Sequence, residues 1–273
     1  MRAATPLHRL PGHPHAWSWL VLSSQLLVAV AWWRLGWQVG LPLLLASHAL
    51  LLWGVLWPRS RLYGPALSRL PTRERLAWLT IDDGPSADTA AILDLLDAHA
   101  AKATFFVVGE RAQARPEAVR EIVRRGHTLG NHSATHPSAW FWALGPRRMT
   151  AEIERTQAIL RDIAGSAPRW FRAVVGMANP FVSAPLRRLG LARVAWSARG
   201  FDAVAADPRA VVARIERTLA PGAIVLLHEG AGHGRNIEAI ALLLRRLDVL
   251  GYRYVLPEML EGEMQSCRAP ELS

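Results

Sequence analysis

Between Leu76 and Leu256 seven short, β-rich apolar runs alternate with stretches of helical periodicity, which restricts this part of the chain to a largely parallel sheet wrapped by helices. The runs are Leu76–Asp82, Thr104–Val108, Thr128–His132, Trp170–Ala173, Arg193–Ser197, Ala223–His228 and Tyr252–Leu256. Between them, Thr89–His99 sets Ile92, Leu95 and Leu96 on one face, Pro116 opens a helix closed by Gly126, and Arg147–Ala164 stops at Gly165. Asp207-Pro208 reads as an N-cap followed by a first helical residue, and Asn236–Leu250 supplies the last helix. Polar residues collect where the runs end: Asp82-Asp83, His132 to His136, Arg172, Asp202 and His228. The C-terminal ends of parallel strands share one face, so segments far apart in sequence can line one cavity there.

The sequence upstream is of another kind. Trp17 to Trp33 and Leu35 to Trp57 carry no charge and are parted only by Arg34; each run approaches or exceeds the roughly 20 residues that cross a bilayer. Trp17, Trp19, Trp32, Trp33, Trp37, Trp53 and Trp57 crowd the ends, where an indole can bury its ring and wet its N–H. A helical hairpin over residues 1–58 is the expectation, followed by a Pro/Gly-containing linker over 59–75, a catalytic domain over 76–260 and a tail over 261–273. A cleaved signal peptide competes, but no small-residue cleavage pattern follows and a second apolar run begins almost at once. Arg2 and Arg9 precede the hairpin, Arg59, Arg61, Arg69, Arg73 and Arg75 follow it, and only Arg34 sits at its tip. That asymmetry puts both ends on the cytoplasmic side of the inner membrane. A single crossing would instead put the domain outside.

A net charge of +10 calls for an acidic partner. Beside two apolar spans the simplest is a lipid headgroup or a phosphorylated substrate, whereas nucleic acid is disfavoured because the arginines are scattered over helices without a binding motif. Cys267 stands alone, so no intrachain disulfide is available.

The sharpest local feature is Leu79-Thr80-Ile81-Asp82-Asp83-Gly84-Pro85, an apolar run that stops at two adjacent carboxylates and a turn dipeptide. Asp-Asp-Gly-Pro also fits a plain strand-to-helix turn. His132-Ser133-Ala134-Thr135-His136 carries two imidazoles; Gly130 before and Pro137 after argue for a loop rather than one helix face. Asp-His-His with an open fourth position is a hydrolytic metal site, zinc being the usual occupant of such donors. His48, His99 and His127 have no catalytic expectation, and His233, in a Gly-rich loop after His228, is a candidate substrate contact.

In order, these segments resemble the NodB-homology polysaccharide deacetylases, carbohydrate esterases with a distorted TIM-like (β/α) barrel. Thr80-Ile81-Asp82-Asp83-Gly84-Pro85 is similar to the family's first motif, and His132-Ser133-Ala134-Thr135-His136 to its HSxxH motif. Trp170-Phe171-Arg172 resembles the start of the third, Asp202 fits the aspartate of the fourth, and Leu226-Leu227-His228 fits the final LxH. The resemblance implies Asp82 as general base, Asp83, His132 and His136 as ligands of one divalent metal, Arg172 as the group positioning the base, and His228 as general acid beside Asp202. The metal implied is zinc, with cobalt, nickel or iron compatible with the same donors.

The chain also departs from that pattern. Prolines and an aromatic usual in the third motif are replaced by Ala173-Val174-Val175-Gly176. In the fourth, Arg199 stands where an aspartate is usual, and Ala203 where a tryptophan is. Extended glycans pack against such aromatics, so the expected substrate is an N-acetyl or N-formyl amino sugar carried on a lipid rather than a long polymer. An enzyme of peptidoglycan or exported polysaccharide outside the cell, and a silent carbohydrate- or lipid-binding membrane protein, are the rival expectations. Trp140-Phe141-Trp142, after the HSxxH segment, fits either core packing under the barrel rim or contact with the bilayer, with Arg147 and Arg148 facing phosphate.

Overall fold

The structure is a computed structural model in which residues 7–266 are described. Arg2 and Cys267 lie outside them. Two 20-residue helices, α1 (Ala16–Leu35) and α2 (Trp37–Leu56), form an antiparallel hairpin turned at Gly36, whose φ of 82° is a conformation glycine adopts without strain. The helices pack closely where Trp32 lies on Gly40: a Cβ at residue 40 would come within 2.6 Å of the indole. Both are long and apolar enough to cross a membrane, with mean hydropathies of 1.3 and 2.0. Leu22, Leu26, Leu27, Trp33 and Leu45 expose most of their side-chain surface, so the hairpin is apolar on its outer face as well as at its seam.

The rest of the chain builds a curled, open, parallel sheet. Its strands are β1 (Leu76–Gly84), β2 (Ala103–Val107), β3 (Thr128–Asn131), β4 (Trp170–Phe171), β5 (Ala192–Arg193), β6 (Ala198–Arg199), β7 (Ala223–His228) and β8 (Arg253–Tyr254). The order is β5-β4-β3-β2-β1-β7-β6, with β8 pairing the first residues of β1. Helices α3 (Thr89–Ala98), α4 (Gly109–Ala114), α5 (Pro116–Arg124), α6 (Pro146–Ala164), α7 (Ser183–Leu189), α8 (Pro208–Glu216) and α9 (Asn236–Val249) fill the connections, and α10 (Pro257–Ser266) follows β8. Asp207 caps α8 as expected, its carboxylate accepting from the Arg209 N–H at 2.9 Å. The strand-helix alternation thus folds as a half-barrel of the expected class.

Strand β1 shows how the pleat divides the core. Leu79 and Ile81 pack with Ile92, Leu96 and Leu243 of the helical layer, while Trp78 lies on the inner, concave side with Phe106, Trp170 and Ile224. Trp78 Nε1 donates to Thr104 Oγ1 at 2.8 Å, which satisfies the indole in a fully buried position. The expected strand Arg193–Ser197 is corrected: the chain makes two short strands, β5 and β6, at opposite edges of the sheet. Residues Val194 to Ser197 cross between the edges, held by Val194 N–H to Phe171 O at 2.8 Å and Ser197 N–H to Ile224 O at 3.0 Å. Val194, Ala195 and Trp196 are buried, so their apolar character serves this crossing instead of a continuous ladder.

The hairpin joins this body through several polar ties. Tyr63 Oη donates to Leu51 O at 2.9 Å, Arg193 Nη2 donates to Gly64 O at 3.1 Å and to Ser60 O, and Trp17 meets Phe181 edge-on at 5.2 Å. Gly176 is wedged between Pro58, just past α2, and Trp196: a Cβ there would sit 2.8 Å from Pro58 Cγ and 2.5 Å from the indole. The end of α2 is thereby fixed against the wall of a cleft at the C-terminal ends of the strands.

Candidate active site

Asp82 lies two residues before the end of β1, beside His228 of β7 on one side and Phe106 of β2 on the other. By alternation Asp82 follows Trp78 and Thr80 to the concave side, and Asp83 should point away. It does not, because Asp83 adopts φ 72° and the register with β2 skips from Asp82 to Gly84. This bulge turns the second carboxylate back, so both acids reach one cleft. Gly84 has no room for a side chain, since a Cβ would lie 1.9 Å from Glu229 Oε1.

The cleft encloses about 300 Å³ and is lined by Asp82, Asp83, His132, His136 and His228 together with Val175, Trp196, Arg199 and Phe201. Asp83 Oδ1 lies 2.9 Å from His136 Nε2 and 3.5 Å from His132 Nε2, and one donor atom from each of the three residues falls within 4.8 Å of the others. Asp83 Oδ1 is buried without an aligned hydrogen bond. His132 Nδ1 sits 2.9 Å from the Arg172 carbonyl, which can only accept, so Nδ1 carries the proton and Nε2 aims its lone pair at Asp83. Burial alone would raise the Asp83 pKa, but the two imidazoles beside it hold it well below the usual carboxylate range. Two imidazole nitrogens and a buried carboxylate oxygen converging within 4.8 Å are the donor set of a divalent cation of the zinc type.

Asp82 is split between two tasks. Its Oδ1 accepts from Arg172 Nη1 at 2.6 Å, and its Oδ2 faces the metal-type cluster, 3.7 Å from His132 Nε2. Arg172 is fully buried, and burial lowers its pKa against the opposing pull of Asp82. Its guanidinium also donates to Thr80 Oγ1 at 2.8 Å and to Ala195 O at 3.1 Å, and lies 4.2 Å above the Phe106 ring. Asp202 clamps His228: Oδ2 accepts the backbone N–H at 2.6 Å and Oδ1 faces Nδ1 at 3.0 Å. All seven residues expected from the sequence therefore meet at or directly behind one cleft.

Burial by itself would push the His228 imidazole down, yet the adjacent Asp202 and, farther off, Asp82 and Asp83 lift its pKa to about 9. A group raised in this way is protonated through neutral pH and loses its proton as pH climbs through that value. Replacing Asp202 by Asn should therefore move the alkaline limb of a kcat/KM profile to lower pH, by about 1–2 units. A bound dication would pull His228 down in both proteins, so the difference between their profiles isolates Asp202.

Other histidines take structural places. His233 Nδ1 accepts from Arg235 N–H at 3.0 Å, leaving Nε2 to donate to Asp202 O at 2.8 Å, so it steadies the acid's partner and is not among the cleft-lining residues. His99 pairs with Asp248 at 2.5 Å rather than resting on a helix end alone. His127 accepts from Ala103 N–H at 3.2 Å, and burial lowers its pKa to about 4.

Two carboxylates that sequence reasoning missed hold the cleft loops. Glu152, buried on α6, accepts from the Ala134 and Thr135 N–H groups at 2.9 Å each and from Thr135 Oγ1 at 2.8 Å, fixing the loop that carries both histidines. A signal existed: Glu152 shares the buried face of α6 with Met149, Ile153 and Thr156, at the spacing of a core stripe. Glu229 accepts from Ser86 N–H at 3.0 Å, Ser86 Oγ at 2.7 Å and Thr89 Oγ1, bracing the turn after Asp83; burial raises its pKa. Asp83, His136, Val175 and Phe201 all have positive φ, between 50° and 72°, and all line the cleft. Such backbone persists only where surrounding structure enforces it.

The rim is apolar. Val175, Phe201 and Val204 are 48%, 46% and 80% exposed around the opening. In the loop after the histidines, Phe141 is buried and stacked on Phe171, whereas Trp140 and Trp142 are exposed. Core packing thus describes the middle residue of that triplet and not its neighbours.

The polysaccharide deacetylase family profile matches residues 69–194. The chain is 32% identical over 200 residues to a chitooligosaccharide deacetylase of Bradyrhizobium sp. (strain ANU 289), covering 72% of this chain and 90% of that protein. It is 30% identical over 196 residues to a peptidoglycan-N-acetylglucosamine deacetylase of Bacillus cereus, covering 68% and 88%. Among solved structures, the peptidoglycan N-acetylglucosamine deacetylase Bc1960 superposes with a TM-score of 0.66 at 31% identity, over 71% of this chain and 91% of that one. A family 4 carbohydrate esterase from Streptomyces lividans, solved with acetate, gives 0.62 at 31%, over 68% and 96%. With a shared half-barrel and relatives matched over most of their length, this chain belongs to the polysaccharide deacetylase family, the NodB-homology hydrolases that cleave N-acetyl amide bonds of sugars.

Proposed function

We propose that this protein is a membrane-anchored, metal-dependent hydrolase that removes an N-acetyl or N-formyl group from an amino sugar carried on a lipid. The observation that carries the chemistry is the convergence of Asp83, His132 and His136 within 4.8 Å, with Asp82 and His228 on the same cleft. A divalent ion held by those three side chains would supply Lewis acidity at the amide carbonyl and acidify water beside it. Asp82, anchored through Oδ1, has Oδ2 free to take the proton of the attacking water. His228, protonated and oriented by Asp202, delivers a proton to the departing amine nitrogen. Arg172 keeps Asp82 in place without reaching the substrate, since it is wholly buried.

The anchor and the lipid are supported by two neighbouring features. The hairpin is apolar over two membrane-length helices, and Pro58 at its exit packs on Gly176 in the cleft wall. A cleft at the foot of a membrane span meets substrates held at the interface, and the apolar rim suits that setting. The single cation Arg34 at the tip, against Arg59, Arg61, Arg69, Arg73 and Arg75 after α2, supports a cytoplasmic domain. A reporter fused at the C-terminus reads the side directly; activity only of an exported reporter would favour an extracytoplasmic enzyme acting on glycan, in keeping with relatives named for peptidoglycan.

The fold alone does not secure activity, because a pseudoenzyme from Bacillus anthracis superposes with a TM-score of 0.63 at 25% identity. The direct test is release of free amine from N-acyl amino-sugar lipids by the purified full chain in detergent. Chelation should abolish turnover and zinc or cobalt restore it; a metal-loaded protein that releases no amine from any N-acyl amino sugar ends the hydrolase reading. Replacing both Trp140 and Trp142 by serine should weaken action on a vesicle-borne substrate by about tenfold and leave a short soluble amide much less affected. Equal losses on the two would return the tryptophans to a packing role.

A further inference from the structure

Arg199, a cation that lines the cleft, has no anionic partner among the described residues. Arg199, at the end of β6, is half-buried, with its guanidinium 3.9 Å from the Phe201 ring centre and 5.4 Å from that of Trp196. No carboxylate lies within ion-pair distance of it among the described residues, in contrast to Arg172, which is matched to Asp82. A second cation is near: Arg59 stacks on Trp57 at 5.6 Å and directly follows Pro58, which touches the cleft wall at Gly176. Burial lowers the Arg199 pKa and the charge of Arg59 lowers it further, so the two arginines feel each other. Two like charges held by aromatic faces beside a low-dielectric cleft, without a counter-ion among the described residues, leave room for an anion from outside.

We propose that Arg199, assisted by Arg59, reads a phosphate ester on the substrate, so that the enzyme selects an amino sugar joined to its lipid through phosphate over a neutral N-acyl glycoside. This rests on the functional reading above and narrows its substrate class. The planar guanidinium is suited to the oxygens of a phosphodiester, and its aromatic supports fix its plane. The location is consistent with the chemistry: Arg59 lies two residues beyond the C-cap of α2, where a bilayer interface would put the phosphate while the lipid chain stays among hydrocarbon. A substrate phosphate and a phospholipid headgroup offer the same recognition, and the experiment separates them.

The full metal-loaded chain in neutral detergent is given two N-acetylglucosamine substrates with one farnesyl chain, joined through a phosphodiester in one and a neutral glycosidic ether in the other. Wild type should prefer the phosphodiester, and Arg199→Gln should reduce the ratio of the two kcat/KM values about 10- to 100-fold, chiefly through KM. Arg199→Lys should recover part of the ratio and Arg59→Gln should reduce it a few-fold. An unchanged ratio in Arg199→Gln, or equal losses on both substrates, overturns the proposal. In vesicles, activity on the neutral glycoside should not depend on replacing phosphatidylcholine by phosphatidylglycerol. A stimulation by phosphatidylglycerol that Arg199→Gln removes assigns the arginines to headgroups and also overturns it. If neither sugar is deacylated, the hydrolase reading fails separately, and binding of radiolabelled farnesyl phosphate still decides for Arg199: about tenfold weakening in Arg199→Gln supports the site and unchanged binding refutes it.

Discussion

Asp82→Asn is expected to lower the turnover number by about 10²- to 10⁴-fold while leaving the metal content of the purified protein close to that of wild type. The asymmetry of the carboxylate makes the substitution informative. Asn keeps an oxygen for Arg172 Nη1, now 2.6 Å from Asp82 Oδ1, but places an amide where Oδ2 faces the cluster. An amide nitrogen cannot accept a proton from water. The three atoms expected to hold the metal belong to Asp83, His132 and His136 and are untouched. His132→Ala, in contrast, removes one of three donors and should lose both metal and turnover. Elemental analysis alongside amine release distinguishes the variants. If Asp82→Asn keeps the wild-type rate, the proton goes elsewhere and the mechanism proposed for this cleft is wrong.

What could be read in advance depended on whether a feature was written locally. The seven apolar runs and their caps lie in short windows, so β1, β7, α3, α8 and α9 fall within a residue or two of their expected positions. The run Arg193–Ser197 misleads because buried crossing segments and buried strands share short apolar stretches such as Val194-Ala195-Trp196; only the pairing partners, which are remote in sequence, separate β5 from β6. Adjacent acids presented a similar difficulty. The pleat rule sends Asp82 and Asp83 to opposite faces, and nothing local announces the positive φ of Asp83 that defeats it. Glu152 and Glu229 were hidden for another reason: each acts on backbone N–H or hydroxyl groups of a different segment, which no motif records. Phe141 and its two tryptophan neighbours show the remaining limit, since identical hydrophobicity in the sequence divides in space between core and rim.

Arg172→Met should be the most damaging single change to stability near the site, about 3–5 kcal/mol, because it leaves the buried Asp82 carboxylate without its guanidinium partner. Asp82 is itself buried, and its Oδ1 has the guanidinium as its one strong donor among the described residues. Methionine fills much of the arginine stem's volume and can lie against Phe106 and Trp196, which the guanidinium now faces at 4.2 and 5.8 Å, so the loss should come from charge more than from packing. This separation can be measured. Adding Asp82→Asn to Arg172→Met removes the uncompensated charge, and denaturant unfolding should show the double variant recovering a substantial part of the stability while remaining inactive. Thr80 Oγ1 and Ala195 O, which lose their Arg172 donors in both proteins, contribute equally and cancel from the comparison. If the double variant is no more stable than Arg172→Met, the buried arginine holds the crossing segment at Ala195 and the aromatic stack rather than the base. The defect in catalysis would then follow from a displaced strand edge instead of an unpaired Asp82.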